Sequence, residues 1–300
     1  MMIGLLSAGG SPGVSTTAVA MGRMWPDPVV VMDADPSGGD ILAGAGGVIP
    51  AERNVLELVR LGRPGRLLDV LESQISLLPS GTPVVAGLGH PGQAAGVPWA
   101  SLAEELSAVS HRDVVVDLGR WVMPYLPTPL LRACDVVLLV VRTQLRAVRR
   151  AERVLPLIRE ELDRGVPGAG ALGLLVVTDQ GPYAPAEIGE RLRIEVLGEL
   201  PVDPRTAAVF SDGADPPRHL DRAALMRGLR PVVRTVGQLA EARRALSTRT
   251  GVLRAQDTGE DAAVRPVPAP RPTQAPGVGL REMPRSARRL SAVQSAGGES

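Results

Sequence analysis

The segment SAGGSPGVSTTAVAMG, residues 7–22, carries residue types that bind phosphate groups. It follows a short apolar run, and its glycines precede a cluster of hydroxyl side chains. Glycines let the backbone turn so that its amides face an anion, and hydroxyls at a helix start can bind a phosphate or its metal ion. The residues that predict this chemistry are Gly9, Gly10, Gly13, Ser15, Thr16 and Thr17.

The same segment matches only half of the P-loop pattern G-x-x-x-x-G-K-[ST]. With Gly13 as the second glycine, Ala8 stands at the first glycine, Val14 at the lysine and Ser15 at the hydroxyl that binds magnesium. No lysine occurs anywhere in the chain, so no lysine ammonium can reach a phosphate. Two interpretations remain open: a phosphate-binding loop, or a tight strand-to-helix turn with a Ser or Thr N-cap.

Carboxylates follow two apolar runs. Asp33 and Asp35 end the run in VVVMDADPSGGD, and Asp117 ends the run in DVVVDLG. Magnesium is a hard cation that takes few protein ligands and keeps several waters, and carboxylates suit it. These three residues are candidates for a metal site, and the alternative for each is a solvated strand end.

Short Val- and Leu-rich runs alternate with helical patterns, which is typical of a parallel sheet buried on both faces. We therefore predict a doubly wound α/β fold, with a mostly parallel sheet and helices on both faces. The predicted strands are 3–6, 29–32, 84–88, 114–116, 136–141 and 172–177. The predicted helices are 16–24, 54–61, 101–109, 146–162, 186–192 and 222–246.

The composition excludes several classes of protein. The 33 basic and 32 acidic residues leave a net charge of +1, so no overall field attracts nucleic acid or an anionic membrane. A single cysteine, Cys134, and three histidines rule out a disulfide framework and a structural zinc cluster. No signal peptide is recognisable, and no run approaches the roughly 18 apolar residues of a membrane span. We expect a cytoplasmic protein without a transmembrane segment.

A change of composition near Ser247 divides the chain. Residues 251–300 are rich in Pro, Gly, Ser and Ala and hold almost no large apolar side chain after Leu253. Such a segment cannot bury enough surface to offset its ordering entropy. We predict one domain over 1–248 and a disordered Pro/Ala/Arg-rich tail over 249–300.

The order of the sequence motifs over roughly residues 1–246 resembles that of the MinD/ParA family of P-loop ATPases, whose loop reads K-G-G-x-G-K-[ST]-T. VVVMDADPSGGD is similar to the family's second strand, and DVVVDLG stands at its Walker B strand. ACDVVLLVVRTQLRAVRRAERVL looks like the next strand and helix, and VLGELPVDPRTAAVFSDG resembles the closing segment near the adenine. The resemblance implies a fold of the P-loop NTPase type.

The resemblance also implies ATP or ADP and Mg2+ as ligands, with a role for each matched residue. Ser15, Asp33 and Asp117 would bind the metal or its waters. Thr16 would bind the α-phosphate, and the amides of 10–16 would surround the β-phosphate. Asp35 would orient the attacking water, with Asp33 beside it in catalysis. The implied nucleotide-binding set is Gly9, Gly10, Ser11, Pro12, Gly13, Val14, Ser15, Thr16, Thr178, Pro201 and Asp203.

Two departures from the family pattern affect the chemistry. Gly9 replaces the signature lysine, which in the family reaches the partner's nucleotide, and Val14 replaces the lysine within the loop. A single cationic group can contribute about 10³ to 10⁵ in the rate of phosphoryl transfer. We therefore expect weak or absent ATP hydrolysis unless an arginine substitutes. Arg142 and Arg146 are candidates by location, and a solvated or dimer-facing surface is the alternative for them.

Four functions are compatible with parts of this pattern. The resemblance implies a homodimeric nucleotide switch that positions or partitions a cellular cargo by docking on a partner protein or adaptor, DNA or a membrane. The alternative is a nucleotide-independent scaffold that dimerises and recruits partners, similar to degenerate relatives in pilus or secretion-system assembly. A Rossmann oxidoreductase would need G-x-G-x-x-G in this loop, where Gly9, Gly10 and Gly13 do not have that spacing, and a serine hydrolase is the fourth alternative.

Non-specific DNA is a possible partner because arginines recur on two predicted helices. Aromatic residues make up only 2% of the chain, so base stacking is not an expected mode. Contact would be with the phosphate backbone and would weaken strongly with salt.

Overall fold

Strands and helices alternate from the first residues in the computed structural model, which describes residues 1–62, 66–122, 125–165 and 171–257. The strands are β1 Met2–Ser7, β2 Val29–Asp33, β3 Ser76–Leu77, β4 Pro83–Val85, β5 Asp113–Arg120, β6 Val136–Arg142, β7 Ala171–Thr178 and β8 Val196–Pro201. The α-helices are α1 Val14–Met24, α2 Asp40–Ala43, α3 Val55–Leu61, α4 Leu68–Gln74, α5 Trp99–Ser107, α6 Thr128–Ala133, α7 Leu145–Asp163, α8 Pro185–Leu192, α9 Pro204–Ser211 and α10 Ala224–Asp257.

The strands of the described residues form one eight-stranded sheet in the order β3-β4-β2-β5-β1-β6-β7-β8. Neighbouring strands are parallel except for the short pair β3 and β4, which is antiparallel at one edge. An otherwise parallel sheet with one antiparallel edge strand is common in doubly wound folds. The predicted mostly parallel sheet is confirmed.

Both faces of the sheet are covered by helices because strand side chains alternate between two apolar clusters. In β1, Ile3 and Leu5 join one cluster while Met2 and Leu6 join the other. Apolar residues of α1, α9 and α10 pack in the first cluster, and those of α3, α5, α6, α7 and α8 pack in the second. This arrangement confirms the predicted helices on both faces.

The strand order directs several loops to one edge of the sheet. The chain runs from β1 outward to β2 and β4, returns to β5 beside β1, and then crosses to β6 on the other side of β1. The carboxyl ends of parallel strands at such a switch point are where open α/β sheets bind ligands. The loops after β1, β2, β5 and β6 therefore meet at the same edge.

The structure differs from the prediction in the shorter elements. The predicted strand 84–88 ends at Val85, because the chain then passes directly against Asp33 at Gly87. Strands β3 and β8 were not predicted: β3 has two residues, and Gly198 interrupts the apolar pattern of β8. Gly198 leaves space for Val232 of α10, because a Cβ built on Gly198 would lie 2.2 Å from Val232 Cγ2. Helices α2, α4, α6 and α9 were also missed, and each spans eight residues or fewer.

The last helix continues beyond the prediction. Helix α10 extends to Asp257, whereas the predicted helix ends at Leu246. Most of the predicted tail, residues 258–300, lies outside the described residues. Within residues 1–62, 66–122, 125–165 and 171–257, no helix is both long and apolar enough to cross a lipid bilayer.

Candidate functional site

The glycine-rich segment forms a loop between β1 and α1 with unusual backbone angles. Gly9, Gly10 and Gly13 have φ values of 132°, 86° and 98°, and Ser11 has a φ of 47°. Glycine adopts positive φ without the steric cost that a Cβ imposes, and a serine there is strained. The glycines are therefore required by the course of the loop, as the sequence indicated, whereas the strain at Ser11 was not predicted.

Helix α1 begins without a side-chain cap. Its N-cap is Gly13 in the left-handed conformation, and no side chain accepts a hydrogen bond from the first turn as a cap. Thr17 N–H donates to the Gly13 carbonyl at 2.9 Å, so Ser15 and Thr16 lie inside the first turn. The structure thus lacks the Ser/Thr N-cap turn considered as an alternative. The first amides and the positive helix end remain available to an anion.

A cavity of about 370 Å³ opens beside this helix start. Its walls come from the loop, the start of α1, the segment after β2, the end of β5 and the end of α9. Of the predicted site residues, it is lined by Ser11, Pro12, Gly13, Val14, Ser15, Thr16 and Asp35. Residues that were not predicted also line it, among them Asp40, Gly44, Arg120, Phe210, Ser211 and Asp212.

Asp33 and Asp117 form a buried carboxylate pair behind this cavity. They are register partners on the parallel strands β2 and β5, at the last residue of β2 and three residues before the end of β5, and both are 0% exposed. One oxygen of each is bonded locally: Asp33 Oδ1 accepts from Asp35 N–H at 3.2 Å, and Asp117 Oδ1 accepts from Gly119 N–H at 2.9 Å.

The second oxygen of each carboxylate has no hydrogen-bond partner. Six buried side-chain polar atoms of the described residues lack one, and three of these are Ser7 Oγ, Asp33 Oδ2 and Asp117 Oδ2. Ser7 ends β1, the strand next to β5. Buried polar atoms are normally hydrogen-bonded, so these three atoms at the carboxyl ends of neighbouring strands could bind a polar ligand, a cation or water.

The carboxyl groups bind protons more tightly than ordinary aspartates. Burial, with added repulsion from Asp117, raises the pKa of Asp33 well above its usual value. Burial raises the pKa of Asp117 to about 7, although the hydrogen bond from Gly119 N–H opposes the shift. Burial also raises the pKa of Asp35, and the charge of Arg120 is among the opposing effects. A cation bound here would lower these pKa values, because it stabilises the ionised carboxylates.

Three glycines make room for these carboxylates. A Cβ on Gly39 would lie 2.2 Å from Asp33 Oδ2, and a Cβ on Gly87 would lie 2.6 Å from Asp33 Cγ. A Cβ on Gly119 would lie 2.1 Å from Asp35 Cγ. Sequence reasoning missed these glycines, although each follows or lies between apolar runs near the candidate aspartates.

The donor set fits a magnesium ion that is bound together with phosphate. Among the described residues, no group of three His, Cys, Asp or Glu side chains is arranged to hold a metal ion by itself. Magnesium commonly takes one or two carboxylates and completes its shell with phosphate oxygens and waters. Asp33, Asp117 and the hydroxyl of Ser15 offer such a partial set.

The predicted adenine-side residues lie apart from the cavity. Thr178 and Pro201 are register partners at the ends of β7 and β8. Asp203 caps α9 by accepting hydrogen bonds from Thr206 N and Oγ1, at 3.2 and 2.7 Å. Although partial burial opposes the shift, these hydrogen bonds lower the pKa of Asp203. None of the three lines the cavity beside α1.

Both predicted arginines, Arg142 and Arg146, lie near the loop, and two arginines that were not predicted join them. Arg142 lies 3.8 Å from Asp179, and Arg146 lines a second cavity next to the loop. Arg120 lines the first cavity, and Arg150 approaches Gly9. Arg120 follows the candidate metal ligand Asp117 by three residues on the same strand. This spacing could have identified Arg120 as a site residue from the sequence.

No protein-family model and no curated protein matches the sequence. Solved structures do match the fold. MinD complexed with Mg-ADP from Pyrococcus horikoshii OT3 is 15% identical, covers 81% of this chain and 98% of its own, and has a TM-score of 0.60. MinD in the MinC:MinD complex of Aquifex aeolicus is 14% identical, with coverage of 79% and 96% and a TM-score of 0.59.

A ParA family ATPase from Chlorobium tepidum TLS is 14% identical to this chain and has a TM-score of 0.59. The match covers 78% of this chain and 96% of the ATPase. At such identities the likeness concerns the fold, which extends over nearly the whole length of each of these proteins. The chain therefore has the fold of the MinD/ParA family of P-loop ATPases.

Proposed function

We propose that this protein binds ATP or ADP together with Mg2+ and acts as a nucleotide-dependent switch that positions or partitions a cellular cargo. The observation that carries the proposal is the buried pair Asp33 and Asp117, each with one unpartnered oxygen. The pair lies at the strand ends next to the loop and the uncapped start of α1. Carboxylates, hydroxyls and free amides at one sheet edge suit a magnesium-bound phosphate chain.

Each group in the site has a distinct part in binding. The amides at the start of α1 and the helix dipole hold phosphate oxygens, while the hydroxyls of Ser15 and Thr16 donate to phosphate or contact the metal. Asp33 and Asp117 bind the metal or its waters. Asp35 lines the cavity and can orient a water molecule. A bound magnesium ion would neutralise phosphate charge and fix the orientation of the phosphate chain.

Hydrolysis is expected to be slow because the loop itself provides no cationic side chain. Val14 is 5% exposed and belongs to the apolar cluster beneath α1, so this position is part of the core. Binding depends on amides, hydroxyls and carboxylates, which are all present, whereas phosphoryl transfer depends more heavily on cationic charge. We therefore propose a protein that binds nucleotide more effectively than it hydrolyses it.

The fold supports the proposed role in positioning. The Aquifex MinD is described in a complex with MinC, and the likeness in fold supports the proposal of a partner protein for this chain. We propose a homodimer that recruits a partner or cargo adaptor. The exposed arginines Arg146, Arg149 and Arg150 of α7 also suit a salt-dependent contact with the backbone of non-specific DNA.

A nucleotide-independent scaffold is the second candidate. The burial of Val14 favours it, because an apolar residue stands in the core where a catalytic lysine would extend to phosphate. The raised pKa values of Asp33 and Asp117 also let this pair persist in a protonated form without a metal ion. Such a protein would recruit its partners equally well with and without nucleotide.

Calorimetric titration with ATP and ADP, with and without Mg2+, separates the two functions. We expect magnesium-dependent binding at micromolar concentration, unchanged in Asp35→Ala and lost in Gly13→Val, where a β-branched residue would need a φ of 98°. Gly96→Val is the matched control, since a Cβ on Gly13 or on Gly96 meets no atom within 4 Å and only Gly13 has a positive φ. Absence of binding at millimolar nucleotide would favour the scaffold.

A further inference from the structure

A second cavity of about 310 Å³ adjoins the glycine-rich loop at Gly9 and Gly10. It lies between the loop, the end of β6 and the first two turns of α7, and it shares Pro12 with the cavity beside α1. The two cavities therefore meet at the loop. A chain of phosphates held at one of them would be close to the other.

The second cavity is strongly basic. Its lining holds Arg142, Arg146 and Arg150 and no acidic residue. Arg142 is 3.8 Å from Asp179, and its buried Nε has no hydrogen-bond partner. Within the part of the chain that the structure describes, Arg146 and Arg150 form no ion pair, and the start of the 19-residue helix α7 adds positive potential.

Arg150 packs directly against the loop backbone. A Cβ built on Gly9 would lie 3.2 Å from Arg150 Nη1, and one built on Gly10 would lie 3.7 Å from the same atom. The guanidinium therefore occupies the space that a side chain at these loop positions would use. An arginine from a distant part of the sequence thus brings a positive charge to a loop that has none of its own.

We propose that this second cavity binds phosphate groups of a nucleoside triphosphate and that Arg150 contacts them. A guanidinium suits this role because its planar donors can hold two phosphate oxygens at once. The proposal rests on the proposed nucleotide binding and adds the residue that supplies the cationic charge. The phosphates belong either to the nucleotide on the same chain's loop or to the nucleotide of a second copy.

The test compares MgATP and MgADP affinities of the full chain and three variants by calorimetry. We expect Arg150→Ala to weaken MgATP binding about 10- to 100-fold, the range of a hydrogen bond to a charged group, with a smaller effect on MgADP. Arg150→Lys retains the charge and should recover part of the loss. Arg153→Ala, an exposed arginine on the same helix that does not line this cavity, should leave both affinities unchanged.

Protein concentration distinguishes the two sources of phosphate. If the phosphates are on the same chain, Arg150→Ala weakens MgATP binding equally in dilute and concentrated protein. If they are on a second copy, the dilute variant keeps its affinity, and sedimentation velocity shows loss of the ATP-dependent dimer. Either result supports an anion site at Arg150.

Two outcomes would overturn the inference. If Arg150→Ala and Arg153→Ala do not differ in nucleotide affinity or in sedimentation, Arg150 contacts no phosphate. The proposed nucleotide binding would still stand in that case. Absence of nucleotide binding by the unmodified protein would remove the proposed function and this site with it.

Discussion

At the scale of single residues, the buried pair Asp33 and Asp117 links stability to ligand binding. Both carboxyls are completely buried, and each has an oxygen without a partner. Burial disfavours their ionised forms, so the pair weakens the empty fold at neutral pH. A cation and its phosphate would remove that cost, which is a reason for such a pair at a binding site.

Asp117→Asn should stabilise the protein at high pH and abolish magnesium-dependent nucleotide binding. The pKa of Asp117 is about 7 in the folded chain, against a reference of 3.8, so the folded state holds the proton more tightly. The stability associated with this carboxyl is therefore fully present below the unfolded pKa and is lost as pH rises through the folded pKa. We expect a gain on the order of 3 kcal/mol at pH 8 that disappears near pH 4.

Urea unfolding in the presence of a chelator, across this pH range, measures the effect. Asp163→Asn, which removes one carboxyl at an exposed position of α7, is the matched control. A gain of Asp117→Asn that is the same at pH 4 and pH 8 would contradict the raised pKa.

At the scale of elements, strand ends and turns determine how closely the backbone approaches the carboxylates. Gly119 lies near the end of β5 with a φ of 64°, and its Cα faces the carboxyl of Asp35. The loop after β4 passes against Asp33 in a similar way at Gly87. These close approaches leave the side chain of Asp33 fully buried and that of Asp35 4% exposed.

Gly119→Ala should destabilise the fold by roughly 2 to 4 kcal/mol, from a strained φ and overpacking against Asp35. The added Cβ would lie 2.1 Å from Asp35 Cγ, so the carboxyl must move. Gly96→Ala adds the same methyl group where no atom lies within 4 Å and should change stability by less than about 0.5 kcal/mol. Urea denaturation of both variants provides the comparison, and equal stabilities would show that the strand end adapts without cost.

At the scale of the whole molecule, the site is assembled from elements that are far apart in the sequence and meet only in the folded sheet. The loop after β1, the segment after β2, the end of β5 and the end of α9 line one cavity. A ligand that filled that cavity would contact residues from these separate parts of the chain. Binding should therefore stabilise the folded chain as a unit.

MgATP should raise the free energy of unfolding by about 2.7 kcal/mol at a ligand concentration 100 times its Kd. Thermal unfolding with increasing MgATP tests this, and the midpoint should rise with ligand concentration. The increase should vanish with excess chelator and in Gly13→Val, whose loop cannot adopt the required φ. A shift of the same size in Gly13→Val would place the bound nucleotide elsewhere on the molecule.

Much of the fold could be predicted from local patterns. Apolar runs and helical periodicity indicated strands β1, β2, β4, β5, β6 and β7. The six predicted helices that the structure contains begin within two residues of their predicted starts. These patterns are short-range, since they reflect the alternation of buried and exposed positions along one element. The short elements β3, α2 and α6 carry too few residues for such a pattern, and tertiary packing decides their conformation.

The sequence by itself determined the glycine-rich loop, the helix start after it and the aspartates at the strand ends, because residue type and neighbouring residues suffice for these features. Only the tertiary structure decided that Asp33 faces Asp117, that Arg120 lines the cavity and that Arg150 reaches Gly9. Those contacts depend on strand order and on how α7 packs against the sheet. Both are long-range outcomes of burying two apolar faces, and no local pattern records them.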